Sequence, residues 1–153
     1  MIRTVVSTRK LSAVKSRNYL KKAEELYLEA LEAQRSGRFN SAVISAIHCG
    51  ISASDAYTVY LGGVRSASKD HGDAVRLLST MGVDDKVLSE HLRSLLEVKN
   101  AAEYEDRLFT SKEADLALKH AERLYKRVRE KLEGSNPRLR SFTDKDEADS
   151  HEP

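Results

Sequence analysis

The chain has 153 residues, of which 33% are charged and 40% are hydrophobic, and its formal net charge is +2. This length suits one domain with its own core, and no apolar run approaches the ~20 residues that span a bilayer. A single cysteine excludes an internal disulfide framework. We therefore expect a soluble cytoplasmic protein.

The first predicted helix covers residues 12–38, because Leu20, Ala23, Tyr27 and Leu31 recur at helical spacing. Gly37 suits its C-terminal end. Residues 1–23 contain seven Lys or Arg and no acid. This basic N-terminal segment is either the start of a solvated helix or an arm that contacts phosphate or an acidic partner.

The second predicted helix begins at Asn40 as its N-cap and ends at Gly62 and Gly63. Its apolar residues cover most of its circumference, which is typical of a central helix. Cys49 lies within it, and we expect an inert core thiol. Three polar residues of this helix share one face at a spacing of three or four: His48, Ser52 and Asp55.

A loop follows, and a short third helix is predicted from Asp70 or Gly72 to Gly82. Asp70 suits an N-cap, with His71 covering the end of the bundle. The alternative is a binding role, in which His71 contacts a phosphate or a base. In that role it would lie beside Arg65 and Lys69, and Asp55 and Asp70 complete the set of candidate binding residues.

The fourth predicted helix opens at Asp84 or Asp85 and carries an apolar stripe that continues to Lys99. A polar cluster follows at its end: Lys99, Asn100, Glu103 and Tyr104. Residues four or five apart lie close to one helical face.

Polar groups in such a helix need partners, so this cluster either forms a buried network or serves an active or ligand site. In the network interpretation, the cluster fixes the fourth helix against the second, and Asp55 is the counter-charge of Lys99. We treat Lys99, Asn100, Glu103 and Tyr104 as candidate catalytic residues.

The fifth predicted helix is capped by Thr110 or Ser111 and closes at Gly134. Residues 135–153 contain three basic and five acidic residues and almost no apolar ones, which predicts a disordered tail. The sequence thus predicts a bundle over residues 1–134, including the basic arm, and a charged tail over 135–153. The fold class is all-α, an up-and-down bundle of four to five helices.

Most enzyme signatures are absent from the sequence. It has no glycine-rich phosphate loop, no dinucleotide fingerprint and no zinc-protease motif. The five histidines are far apart in sequence, so a metal site would have to be assembled by the fold. We predict no metal and no cofactor.

Three stretches together resemble prokaryotic HEPN domains: residues 48–71, 95–104 and 114–132. The resemblance covers about residues 20–132. It implies a four- or five-helix bundle that usually dimerises. Many members of this family are metal-independent endoribonucleases of toxin–antitoxin, phage-defence and RNA-processing systems.

The family motif is Arg, four to six residues, then His, often with Asn directly after the Arg, and two copies build one RNA-cleaving cleft. Lys99 matches the Arg, Asn100 the Asn and Tyr104 the His. Tyrosine titrates near ~10 and is a poor base. Lysine lacks the planar fork that grips phosphate in two places. Both departures weaken the case for the usual ribonuclease.

Two functions from different classes follow. The first is a dimeric binding component whose partner is RNA or a cognate protein, such as a nucleotidyltransferase-like antitoxin. The second is a ribonuclease in which Lys99 holds phosphate and Glu103 or His71 moves the proton. A structural subunit of a larger assembly is a third interpretation. We expect the fourth and fifth predicted helices to form the dimer interface.

Overall fold

The computed structural model describes the backbone of residues 2–63, 65, 71–80 and 85–135, and the side chains of residues 13–63, 65, 74–80 and 86–134. Within these ranges it contains helices and no strand, which confirms the predicted all-α class. The helices are α1 (Ile2–Arg35), α2 (Phe39–Gly62), α3 (His71–Ser79), α4 (Asp85–Glu97), α5 (Lys99–Tyr104) and α6 (Ser111–Ser135).

Helix α2 is the centre of the bundle, as its apolar circumference predicted. It packs mainly against α1 and α6 and also touches α4 and α5. Val43 and Ile47 are fully buried, and so is Cys49. Burial raises the pKa of the Cys49 thiol to about 12, so the thiol is inert, as expected.

Gly50 lets α4 and α6 approach α2 closely. A Cβ atom at this position would lie 2.5 Å from Cδ1 of Leu95 and 3.3 Å from Cδ2 of Leu124. Both leucines belong to the buried core. The absence of a side chain at Gly50 is therefore a condition of this packing.

Several helix ends lie where the sequence predicted them. Glycines follow α1 and α2, and a threonine caps α6. Gly37 and Gly63 have φ values of 74° and 67°, which glycine adopts without a steric penalty. Thr110 Oγ1 accepts from the backbone N–H of Glu113, and Glu113 accepts from the N–H of Thr110, both at 3.2 Å. This reciprocal pair is a capping box at the start of α6.

Asn40 does not cap α2, contrary to the prediction. The helix begins at Phe39, and its N-cap position is Arg38, two residues before the predicted one. The Asn40 side chain instead accepts a hydrogen bond from the backbone N–H of Phe109 at 2.8 Å. It thereby holds the segment before α6 against the start of α2.

The predicted continuous fourth helix is also wrong. Helix α4 ends at Glu97, and Val98 lies in a turn with φ −98° and ψ −1°. Its backbone N–H bonds the carbonyl of Leu95 at 3.3 Å, a tighter turn than the α-helix makes. Lys99 thus opens a separate helix, α5, which packs on α2 and α4.

Several predictions fall outside the described residues: the roles of Lys69 and Asp70, the side chain of His71, and the charged tail beyond residue 135. The side chains of the basic arm up to residue 12 also lie outside, although α1 itself begins at Ile2. None of the described helices has the length and apolar character needed to cross a membrane.

Candidate functional site

Glu103 stands at the centre of the candidate site, on the last turn of α5. Its Oε2 accepts a hydrogen bond from Nζ of Lys99 at 2.8 Å. The two residues are four apart, so one helical face carries both. Their side chains are only 15% and 16% exposed, so solvent and salt screen this ion pair less than a surface pair.

The second oxygen of Glu103 ties α5 to the central helix. Nε2 of His48 donates to Oε1 of Glu103 at 2.8 Å. The His48 side chain is 44% exposed, so the imidazole is reachable from solvent. Because Nε2 is engaged with the carboxylate, Nδ1 is the ring nitrogen that remains available to another partner.

The polar network between α5 and α2 is thus present, but its counter-charge differs from the predicted one. Lys99 pairs with Glu103 and not with Asp55. Asp55 lies seven residues beyond His48, two helical turns further along α2. It pairs with Arg65 instead.

The charges around Glu103 determine its ionisation. Burial alone would raise the pKa of this carboxyl, but the hydrogen bond and charge of Lys99, together with those of His48, outweigh it and lower the pKa. Glu103 is therefore ionised at neutral pH. A carboxylate held in this way orients its partners and is a weak proton acceptor.

Helix α5 divides the four predicted catalytic residues between two faces. Lys99 and Glu103 point into the network, whereas Asn100 is exposed and Tyr104 is 77% exposed. The structure therefore does not bring the four side chains together in one polar cluster.

A second polar cluster lies at the far end of α2. Oδ2 of Asp55 is 3.7 Å from Nε of Arg65, and the same guanidinium donates to the Tyr19 hydroxyl at 2.8 Å. Its carbon lies 5.4 Å from the centre of the Tyr19 ring, within the range of a cation–π contact. Burial raises the pKa of Asp55 to about 6, although Arg65 acts against this shift.

Two partly buried histidines that are 29 residues apart in the sequence lie in contact in the structure. His91 of α4 and His120 of α6 approach with their Nδ1 atoms 3.0 Å apart. Only the packing of α4 on α6 brings them together, so no local motif could have revealed the pair. Among the described side chains, no group of three or more His, Cys, Asp or Glu is arranged to hold a metal ion.

The sequence model of the HEPN domain family matches residues 16–131. The chain belongs to the HEPN family. The match includes the whole of α2 to α5, most of α6 and both polar clusters. No curated protein and no solved structure matches the chain significantly.

In this HEPN domain the imidazole beside the motif comes from α2 and not from the motif itself. His48 reaches Glu103, while the motif's last position is occupied by Tyr104. The spacing of Lys99 and Glu103 placed them on one helical face, although Asp55 was the predicted partner of Lys99. The contact of His48 with Glu103 spans 55 residues of sequence and needed the fold.

Proposed function

We propose that this HEPN protein is a homodimeric binding component of a nucleic-acid-associated system, of the toxin–antitoxin or defence type. The main support for the proposal is that the charged side chains at the motif are already paired with groups of the same chain. Lys99 is ion-paired with Glu103, whose other oxygen is bound by His48.

This pairing weakens the motif as a catalytic centre. A phosphate would have to displace Glu103 from Lys99, and the carboxylate, only 16% exposed, would then lose its counter-charge, which is costly for a largely buried charge. The motif's last position is occupied by Tyr104, and phenols are poor proton acceptors near neutral pH. The two groups that match the family motif are thus poorly suited to cleaving RNA.

The end of α5 and the segment that follows it expose two large side chains that suit binding. Tyr104, the last residue of α5, is 77% exposed, and Leu108 in the segment between α5 and α6 is 75% exposed. Large exposed aromatic side chains commonly anchor protein interfaces. The HEPN resemblance implies that two motif helices meet across a dimer, so we assign this surface to a second copy of the chain. The dimer would then engage RNA or a cognate protein such as a nucleotidyltransferase-like antitoxin.

Light scattering over a concentration series tests the dimer. Replacing Tyr104 with Ala should raise the dimer dissociation constant by at least about tenfold, since interface anchors contribute about 2 kcal/mol or more. The matched control is Leu28→Ala on α1, because Leu28 is also a large exposed side chain at 55% but lies far from the motif in sequence. A wild-type chain that stays monomeric at micromolar concentration would contradict the proposal.

A second candidate function has one specific observation in its favour. His48 supplies a solvent-accessible imidazole, oriented by Glu103 at 2.8 Å, and histidine exchanges protons near neutral pH. A metal-independent ribonuclease could use this imidazole in place of the missing motif histidine. Lys99 would then provide positive charge near the scissile phosphate.

Incubation of the purified chain with single-stranded and structured RNA in the presence of EDTA separates the two functions. The binding proposal expects intact RNA with the wild type and with the Lys99→Ala Tyr104→Phe double variant. Cleavage by the wild type that is lost in His48→Gln and kept in Tyr104→Phe would establish the ribonuclease instead.

A further inference from the structure

The charge of α1 is divided between its two halves. Residues 1–23 contain seven Lys or Arg and no acid, whereas residues 24–35 contain four Glu and one Arg. Helix α1 runs from Ile2 to Arg35, so one helix carries a basic half and an acidic half. An anionic partner is therefore attracted to the basic half and repelled by the other.

Two exposed lysines of the basic half lie on either side of a tyrosine. Lys15, Tyr19 and Lys22 follow each other at spacings of four and three residues, which places them on one helical face. Tyr19 is partly buried against the core, and Nζ of Lys22 lies 6.0 Å from the centre of its ring. Neither lysine forms an ion pair within the part of the chain that the structure describes. Both charges are therefore open to an external partner.

Arg65, just beyond the end of α2, brings a third cation to the same tyrosine. Its Nη1 donates to the Tyr19 hydroxyl at 2.8 Å, and its guanidinium carbon lies 5.4 Å from the ring centre. Oδ2 of Asp55 is 3.7 Å from Nε, which is longer than a hydrogen bond. Tyr19 thus takes one of the five N–H donors of a guanidinium and holds the group in place, while the Arg65 side chain stays 54% exposed.

These residues form one basic surface at the edge between α1 and α2: Lys15, Tyr19, Lys22 and Arg65. Its three cations outweigh the single charge of Asp55, whose side chain is only 15% exposed. Of the nearest acids on α1, Glu24 is paired with Lys21 at 3.5 Å, and Glu25 begins the acidic half. The solvent side of the basic surface is therefore positive.

The chemistry of the basic surface favours phosphate groups over an acidic protein. A guanidinium offers a planar fork of donors that matches phosphate, and lysine binds phosphate as a point charge. Protein interfaces take most of their binding energy from large side chains that become buried, but the one aromatic side chain of this surface, Tyr19, is already packed against the core. A nucleic-acid backbone is bound mainly through its charge, which is what the basic surface supplies.

We propose that Lys15, Lys22 and Arg65 bind the phosphate backbone of a nucleic-acid strand. The inference rests on the nucleic-acid association in the proposed function, and it locates the contact on α1 and the end of α2, away from the motif helix α5. It gives the basic N-terminal segment the phosphate-contacting role that the sequence left open. Backbone contacts carry no base information, so binding should not depend on the sequence of the strand.

Fluorescence anisotropy with labelled oligo(U) and oligo(dT) tests this surface. The untagged wild type should bind both strands, with an affinity that falls between about 50 and 200 mM salt. In Lys15→Ala Lys22→Ala, the slope of log affinity against log salt should be smaller by about 1.4, since each neutralised phosphate contributes about 0.7 on a single strand. At about 50 mM salt the same loss should weaken binding by about tenfold or more. Lys15→Gln Lys22→Gln repeats the test with long uncharged side chains, and circular dichroism checks that both variants are folded.

Lys112→Ala Lys119→Ala is the matched control. These two lysines are also exposed and seven residues apart, but they lie on α6, whose first residue Ser111 accepts a hydrogen bond from Gln34 in the acidic half of α1. The control variant should keep the wild-type slope. Equal losses in the two double variants would overturn the proposal, because binding would then follow net charge alone.

The remaining outcomes separate the basic surface from the proposed function. A wild type that binds both strands, with a slope that Lys15→Ala Lys22→Ala leaves unchanged, would overturn the basic surface and leave the proposed function intact. Displacement of the strand by poly-glutamate as readily as by unlabelled oligo(U) of equal charge would overturn the proposal in favour of an acidic protein partner. A wild type that binds neither strand would also overturn it, and light scattering of the same sample then shows whether the proposed dimer stands.

Discussion

At the scale of single residues, Glu103 joins the two helices that carry the polar groups of the site. One oxygen binds Lys99 within α5 and the other binds His48 on α2. Helix α5 has only six residues and no fully buried side chain, and so short a helix is not stable by itself. The two bonds of Glu103 therefore contribute directly to holding α5 on the bundle.

Replacing Glu103 with Gln should destabilise the protein. The variant removes the counter-charge of Lys99, whose side chain is 15% exposed, and the loss of a charged, partly buried hydrogen bond costs about 1–3 kcal/mol. Urea unfolding at pH 7, followed by circular dichroism, measures the change. The control is Glu122→Gln, which breaks a more exposed ion pair with Lys126 and should change stability by no more than about 0.5 kcal/mol. Equal effects of the two substitutions would contradict this role of Glu103.

The sequence could predict part of this site and not the rest. Lys99 and Glu103 are four residues apart, so their contact follows from helical spacing. His48 and Glu103 are 55 residues apart in the sequence, so spacing does not predict their contact. His48 and Asp55 lie on the same face of α2, and either could have faced the polar residues of α5. Which of the two lies opposite α5 depends on how the helices are placed along each other, and that requires the fold.

At the scale of helices, the break at Val98 shows where periodicity fails. Val98 is apolar and continues the stripe of α4, and neither glycine nor proline marks the position. The pattern of Leu92, Leu95 and Leu96 therefore predicts one helix, yet the chain turns after Glu97. The central position of α2 was predictable because its apolar residues leave little polar surface.

The packing of α2 against α4 and α6 gives a prediction at Gly50. Alanine there would place a Cβ atom 2.5 Å from Cδ1 of the buried Leu95. Overpacking costs about 1–3 kcal/mol, and the better helix propensity of alanine returns up to about 1 kcal/mol. We expect Gly50→Ala to lower the free energy of unfolding, as measured by urea denaturation.

Gly134→Ala on α6 is the matched control for that substitution. No atom lies within 4 Å of the added Cβ at this position, so only helix propensity acts and stability should rise by up to about 1 kcal/mol. A Gly50→Ala protein as stable as Gly134→Ala would show that Leu95 yields without cost.

At the scale of the whole molecule, the ionisable groups give the bundle its dependence on pH. The pKa of Glu103 is lowered from its usual 4.5 on folding. This carboxyl therefore stabilises the folded chain above pH 4.5, and the stabilisation is lost as the pH falls below 4.5. His91 and His120, whose pKa values are lowered from 6.5, destabilise the fold as the pH falls below 6.5, because the unfolded chain takes up protons first. Asp55 acts in the opposite direction.

Replacing Asp55 with Asn isolates that opposing contribution. The pKa of Asp55 rises on folding from 3.8 to about 6, so the folded chain binds more protons than the unfolded chain between these values, and stability from this group falls as the pH rises. Such a shift corresponds to about 3 kcal/mol at most, and the lost contact with Arg65 reduces the gain. Asp55→Asn should therefore be about 1–3 kcal/mol more stable than the wild type at pH 7 and nearly equal to it at pH 4. Urea unfolding of both proteins between pH 4 and pH 8 measures this difference, and a variant that is less stable at pH 7 would show that Arg65 and Tyr19 need the charged carboxylate.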